Sequence, residues 1–233
     1  IVQNQMARNR IDLIFGEARF VDPHRLLIQR AGTSTEHRAH VIVIAVGTET
    51  TRPVEIPFDD DTIIDTDGFL TLKHLPTSMV IVGGGVIGTE YASILATMGV
   101  PVILIDKRPR VLEFVDAQII DALQQQMTDI GVTFCHEEEV VAIRKESDGQ
   151  ITVSLTHRPP ITTTALMYAI GRIGATKHLN LEAVGITPDT RGRVIVNDHF
   201  QTSVPHIYAA GDVIGFPALA STSMQQGRHA ACH

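Results

Sequence analysis

With 233 residues, 44% hydrophobic and 19% charged, the chain has ample apolar side chains for one or two buried cores. Its formal charge of −7, with no long basic run, argues against nucleic acid or an anionic membrane surface as the main partner. Apolar stretches such as 41–46 and 79–82 are far shorter than the roughly 20 residues that span a bilayer, and suit buried strands. Cys135 and Cys232 form no closely spaced pair, so a disulfide framework is not expected and a reducing cytoplasm is the simpler setting. His37-x-x-His40 and His229-x-x-x-His233 have ligand-like spacing but lack cysteines or carboxylates to complete a set, so no metal site is expected.

In chain order, short strands are expected at 11–15, 18–21 and 25–28, followed by a strand at 41–46 buried on both faces and ended by Gly47. The polar stretch 48–76, with Pro53, Pro57 and three consecutive aspartates from Asp59, reads as an inter-domain connection. From Thr77 the pattern becomes strand and helix in alternation. A strand at 79–82 precedes a glycine turn and a helix over 86–98, whose Ile87, Tyr91, Ile94, Leu95 and Met98 share one face up to Gly99. A second strand spans 102–106. Asp116 caps a second helix carrying Ile119, Ile120, Leu123, Met127 and Ile130, closed by Gly131, and a third strand follows at 132–135. This βαβαβ order is half of a doubly wound sheet, the half that holds one nucleotide. A hairpin of 140–144 and 151–155 turns at Asp148-Gly149, and 165–170 is a further buried strand. Strands at 193–196 and 207–210 and a C-terminal helix complete the pattern.

Gly83, Gly85 and Gly88 satisfy G-x-G-x-x-G between a strand and a helix. Gly83 permits the tight turn, Gly85 admits a pyrophosphate to the backbone, and Gly88 lets helix and strand approach. Phosphates would meet the amides of Val86 and Ile87 at the positive end of the helix. Asp106 ends the second strand eighteen residues past Gly88, where a carboxylate accepts adenosine ribose hydroxyls. Asp106 favours NAD(H), whereas Lys107, Arg108 and Arg110 are the residue types that pair with a 2′-phosphate. The expectation is NADH binding at least as good as NADPH binding, with NADPH held through Arg108.

With this unit bracketed by 41–47 and by Ile207-Tyr208-Ala209-Ala210-Gly211-Asp212, the chain resembles the pyridine nucleotide–disulfide oxidoreductase family of flavoproteins. Within it, the chain is most similar to the soluble transhydrogenase branch. The residues behind that are Gly16-Glu17-Ala18-Arg19-Phe20-Val21-Asp22, Gly85-Val86-Ile87-Gly88-Thr89-Glu90-Tyr91-Ala92-Ser93, Phe114-Val115-Asp116, Tyr168-Ala169-Ile170-Gly171-Arg172 and the stretch from Gly211 to Ser221. The resemblance implies a Rossmann-like NAD(P) domain with a β-meander at 51–171, inserted between incomplete FAD-domain segments at 1–50 and 172–233. It implies that Asp212 and Gly211 meet the FAD ribityl chain and that Ala45 and Gly47 form a turn near FAD. Leu219 and Ala220, at the start of the last helix, would aim its N-terminus at the flavin. Glu90 would position the nicotinamide, and Gly171 would lie beside it. Cys135 reads as a core residue.

The implied activity of the whole protein is flavin-dependent hydride movement between NADP(H) and NAD(H) in the cytoplasm, by a homo-oligomer. No protein acid, base or nucleophile is required for hydride transfer between two rings, and none is singled out. Two alternatives stand beside it, a dihydrolipoyl-dehydrogenase-like disulfide reductase and a non-catalytic dinucleotide-binding module. The chain lacks an initiating Met, and His233 falls within a helical pattern, so a longer polypeptide is expected. These 233 residues alone are expected to be inactive, to lack stoichiometric FAD and to self-associate through the 41–46 strand.

Overall fold

The computed structural model describes residues 2–233. A short helix, α1 (Val2–Arg8), precedes the strands β1 (Glu17–Asp22), β2 (Arg25–Arg30) and β3 (Thr33–Arg38), which form an antiparallel sheet in the order β1-β2-β3. The turn between β2 and β3 is Ala31-Gly32, both at positive φ, the geometry that matches the twist of a hairpin. The next strands are β4 (Ile42–Ile44), β5 (Thr48–Thr50), β6 (Ile63–Asp65) and β7 (Met79–Val82). Then come α2 (Val86–Thr97), β8 (Val102–Asp106), α3 (Ala117–Asp129) and β9 (Val132–His136). A meander of β10 (Val140–Lys145), β11 (Ile151–Leu155) and β12 (Ile161–Thr163) leads to β13 (Ala165–Tyr168). The chain finishes with β14 (Arg172–Gly174), which pairs with β5, then β15 (Ile207–Ala209) and α4 (Ala220–Cys232).

Packing divides the chain into two units, Thr50–Arg172 and the chain up to Glu49 together with Ile173–His233. The Thr50–Arg172 unit is built on a five-stranded sheet in the order β6-β13-β7-β8-β9, every neighbouring pair parallel. Strand side chains alternate between faces, so Ile81, Leu104 and Met167 pack with Ala92 and Leu95 of α2 and Ile120 and Met127 of α3. The other face, Val80, Ile105 and Leu166, is covered by Ile151 and Val153 of the meander. Both faces are thus buried, which explains the nearly unbroken apolar runs of β7 and β8.

In the other unit, Phe20, Ile42, Ile44, Leu181, Val184, Ile207 and Val213 share one core. Its central pair is β4 beside β15, parallel, and among the described residues β4 has no strand on its other edge.

Several expectations are corrected. Residues 11–15 form no strand, and Ile11, Leu13, Ile14 and Phe15 are about half exposed. The 41–46 strand shortens to three residues with Val41, Val43 and Val46 exposed, because β4 is covered on one face only. The stretch read as a connection contains β6, the edge strand that pairs with β13. Residues 193–196 run extended without a ladder, although Val194 is buried and its N–H reaches Val213 O at 2.9 Å. On α2 the buried face is Gly88, Thr89, Ala92, Leu95 and Ala96, while Ile94 and Met98 are exposed. Small residues let this helix lie close to the sheet, so the larger apolar groups beside them are left at the rim. On α3 the buried residues are Ile120 and Met127, while Ile119 and, just past the helix, Ile130 are exposed.

Candidate functional site

In a parallel sheet the carboxyl ends of the strands face one side, where the chain turns into the helices and leaves a crevice for ligands. In the Thr50–Arg172 unit the residues at those ends are Gly83 to Gly85 after β7, Asp106 to Arg108 at and after β8, His136 to Glu138 at and after β9, and Ala169 to Gly171 after β13. The first turn is held by Gly83 N–H to Ile105 O at 2.8 Å, and by Leu112 N–H to Gly84 O at 3.1 Å. A Cβ at Gly88 would fall inside the carbonyl oxygen of Gly83, so this close approach requires glycine. Gly85 is different. It starts α2 in extended geometry, and a Cβ there would meet no protein atom within 4 Å. The space is open directly over the first amides of a helix, the position where a phosphate gains most from the backbone dipoles. Val86 is exposed and Ile87 half-buried beside it. Glu90 stands exposed one turn along α2, and Gly171 is exposed at the end of the adjoining strand.

Asp106 is 5% exposed and does not stand free. Its Oδ2 accepts from Gly84 N–H at 2.5 Å and from Arg108 Nη2 at 2.6 Å. Its Oδ1 accepts from Arg108 N–H and Arg108 Nε, both at 2.8 Å. Burial opposes ionisation, but the Arg108 guanidinium and the two backbone N–H groups hold the carboxyl below the ordinary aspartate range. Lys107 is exposed, and Arg110 reaches Asp121 at 3.5 Å.

The next strand end supplies residues that sequence reasoning passed over. His136 is the register partner of Asp106 and stacks on Phe134 with centroids 5.4 Å apart, and neither ring nitrogen has a partner. Burial lowers its pKa, with Asp106 opposing. Glu138 is buried, accepts His157 N–H at 3.1 Å and lies 3.7 Å from Arg158 Nε. Its own N–H donates to Asp106 O at 3.2 Å, which ties the two strand ends together. Cys135 is buried, and burial pushes its thiol pKa up against the opposing Arg158. It is a core residue.

In the other unit the carboxyl ends of β4 and β15 lie side by side, joined by Ala210 N–H to Ile44 O at 3.0 Å. This brings Ala45 and Gly47 to the same edge as Gly211 and Asp212. Gly211, at φ +83°, donates its N–H to the buried Gln226 Oε1 at 2.7 Å, leaving the Asp212 carboxylate half-buried with no hydrogen bond among the described residues. Leu219 and Ala220 start α4, with no side chain capping the helix. A polyol hydroxyl finds an acceptor in Asp212, and an electron-rich ring edge finds unpaired amides at α4. Among the described residues no cluster of three or more His, Cys, Asp or Glu side chains could hold a metal ion, and no helix is long and apolar enough to cross a membrane.

The family model for pyridine nucleotide-disulphide oxidoreductases matches residues 1–227. A soluble pyridine nucleotide transhydrogenase of Mycobacterium bovis (strain BCG / Pasteur 1173P2) is 48% identical over 235 aligned residues, all of this chain and 50% of the relative. One from Marinobacter nauticus is 43% identical over 97% of the chain and 48% of the relative. Among solved structures, the Cu(II) complex of the HOCl-induced flavoprotein disulfide reductase RclA from Escherichia coli superposes with a TM-score of 0.89 at 31% identity, over 97% of this chain and 52% of that one. LpdA from Mycobacterium tuberculosis gives 0.91 at 27% identity, over 98% and 51%. The chain spans about half the length of the curated relatives it matches.

Proposed function

The chain belongs to the pyridine nucleotide-disulphide oxidoreductase family, and from that premise we propose that the whole protein is a flavin-dependent transhydrogenase that exchanges hydride between NADP(H) and NAD(H). Bound FAD would supply the hydride-relay chemistry between a reduced and an oxidised nicotinamide. The chain's own residues bind, orient and shield. The observation that carries the reading is Gly85, whose missing side chain leaves room for a diphosphate over the start of α2. Val86 and Ile87 would contribute amides, Glu90 would position the nicotinamide, and Gly171 would admit it to the strand end. Asp106 and Arg108 would meet the adenosine ribose. Asp212, with Gly211, would hold the ribityl chain, Ala45 and Gly47 would form the adjoining turn, and Leu219 and Ala220 would present the α4 amides to the flavin. Two free cysteines fit a reducing cytoplasm, and we place the protein there, as a homo-oligomer.

Transfer of hydride from NADPH to a thio-analogue of NAD by the flavin-loaded protein, without reduction of lipoamide, is the expected result. Efficient disulfide turnover with negligible nucleotide-to-nucleotide transfer favours instead the disulfide reductase reading, the activity for which RclA is named.

A further inference from the structure

Gly171 is exposed, at φ +118°, and a Cβ there would meet no protein atom within 4 Å. A glycine in open space has more backbone freedom than any other residue, so its neighbours must set its direction. On one side its carbonyl accepts Thr51 N–H at 3.1 Å. On the other, Arg172 forks onto Asp67, with Nη1 to Oδ1 at 2.7 Å and Nη2 to Oδ2 at 3.3 Å. Asp67 precedes a single turn of 3-10 helix, Gly68–Thr71, whose Gly68 N–H donates to the Asp65 carboxylate at 2.8 Å. Phe69 of that turn lies against Tyr91 of α2, with ring centroids 4.2 Å apart. Burial raises the Tyr91 phenol pKa, and the nearby Asp67 and Glu90 carboxylates add to the rise. One chain of contacts thus runs from Gly171 through Arg172, Asp67, Phe69 and Tyr91 to Glu90.

We propose that Asp67 and Tyr91 are positioning residues, the two joints of a brace that fixes Gly171 and Glu90 relative to one another. This rests on the reading of Gly171 and Glu90 as the seat of the nicotinamide. Neither joint needs to touch the nucleotide. The glycine turn that would take the diphosphate is held separately, by the bonds of Gly83 to Ile105 and of Leu112 to Gly84. Loosening the brace therefore spares the diphosphate end and misplaces the ring that must meet a second ring for hydride transfer. There an error of about 1 Å costs up to about 100-fold in rate. The Asp67 side chain is 61% exposed, so its ion pair adds little to the stability of the fold. Its contribution is to geometry.

The test compares the flavin-loaded wild type with Asp67→Asn, Asp67→Glu and Tyr91→Leu. The readouts are the rate of flavin reduction by saturating NADH, hydrogen exchange in the peptide 168–174, and the Kd for ADP-ribose, which carries diphosphate and adenosine but no nicotinamide. Asp67→Asn is expected to slow reduction about tenfold or more. It should also speed exchange at Gly171 and Arg172, and leave the ADP-ribose Kd and the Tm unchanged. Tyr91→Leu, which cuts the brace at its other joint, should slow reduction in the same way with the ADP-ribose Kd unmoved. Asp67→Glu, which keeps the carboxylate, should recover most of the rate. A wild-type reduction rate in either Asp67→Asn or Tyr91→Leu overturns the proposal. So does a rate that falls together with ADP-ribose affinity and Tm in Asp67→Asn, the mark of a merely structural role. A wild type that binds no ADP-ribose, or whose flavin NADH does not reduce, removes the nucleotide reading and the brace with it. Where the wild type does both, a negative result in the variants counts against the brace alone.

Discussion

Gly85→Ala and Gly88→Ala differ by three positions and should have opposite consequences. Residue 85 has φ −76° and ψ −175°, ordinary extended backbone, and its added methyl touches no protein atom. The cost to the fold is the loss of a good N-cap residue, about 1 kcal/mol or less, or a few degrees in Tm at most. Gly88 lies inside α2, where alanine alone would gain about 1 kcal/mol. The methyl, however, collides with the Gly83 carbonyl. Backbone cannot step aside as a flexible side chain can, so overpacking of about 1–3 kcal/mol or more wins and the sign reverses. For binding, the Gly85 methyl stands where the diphosphate would rest. Loss of one charge-assisted bond to an amide, about 1.5–3 kcal/mol, raises the NADH Kd at least about tenfold. Calorimetric titration with NADH beside a thermal melt reads both quantities. Wild-type affinity in a well-folded Gly85→Ala protein refutes the reasoning.

Further consequences follow from the same geometry. Burial raises the pKa of Asp65, but Arg52 Nε at 2.6 Å, with Thr50 and the Gly68 N–H, more than offsets it and holds the group at about 2 against 3.8. The linked stability is complete above 3.8 and is lost as pH falls through about 2, on the order of 2 kcal/mol for a side chain this buried. Asp65→Asn should therefore lower Tm at pH 6 by more than at pH 2; parallel curves contradict the pairing. Asp116 Oδ1 accepts the N–H groups of Gln118 and Ile119 at the start of α3. Asp116→Ala should cost about 1 kcal/mol in urea unfolding, and no change in midpoint removes the cap from the account. In native protein at pH 8, maleimide labelling followed by peptide mass spectrometry should modify exposed Cys232 rapidly and buried Cys135 only after denaturation. Equal rates would show that Cys135 is not a core residue.

The βαβαβ unit is legible in the sequence because each of its parts has a local signal. A buried run precedes the glycines, a helix follows, and an acid ends the next strand. What escaped depends on partners distant in the chain. β6 is three residues long, too short for a period, and is defined by pairing with β13 about a hundred residues later. Glu138 sits in a run of three glutamates that reads as solvated, yet it is buried against His157 and Arg158. Asp106 and Arg108 were read as one group for ribose and another for phosphate. The turn after β8 folds the guanidinium back over the carboxylate, a two-residue geometry that strand periodicity does not encode. On α2 the large apolar residues mark the buried stripe only at Leu95, because the small Gly88, Thr89, Ala92 and Ala96 make up the rest of it.

A crystal structure of the flavin-loaded protein with NADH bound tests the central claim most directly. The diphosphate is expected within hydrogen-bond distance of the amides that follow Gly85, with the adenosine ribose beside Asp106. Diphosphate density elsewhere, with the space above Gly85 taken by the protein's own side chains, would contradict it.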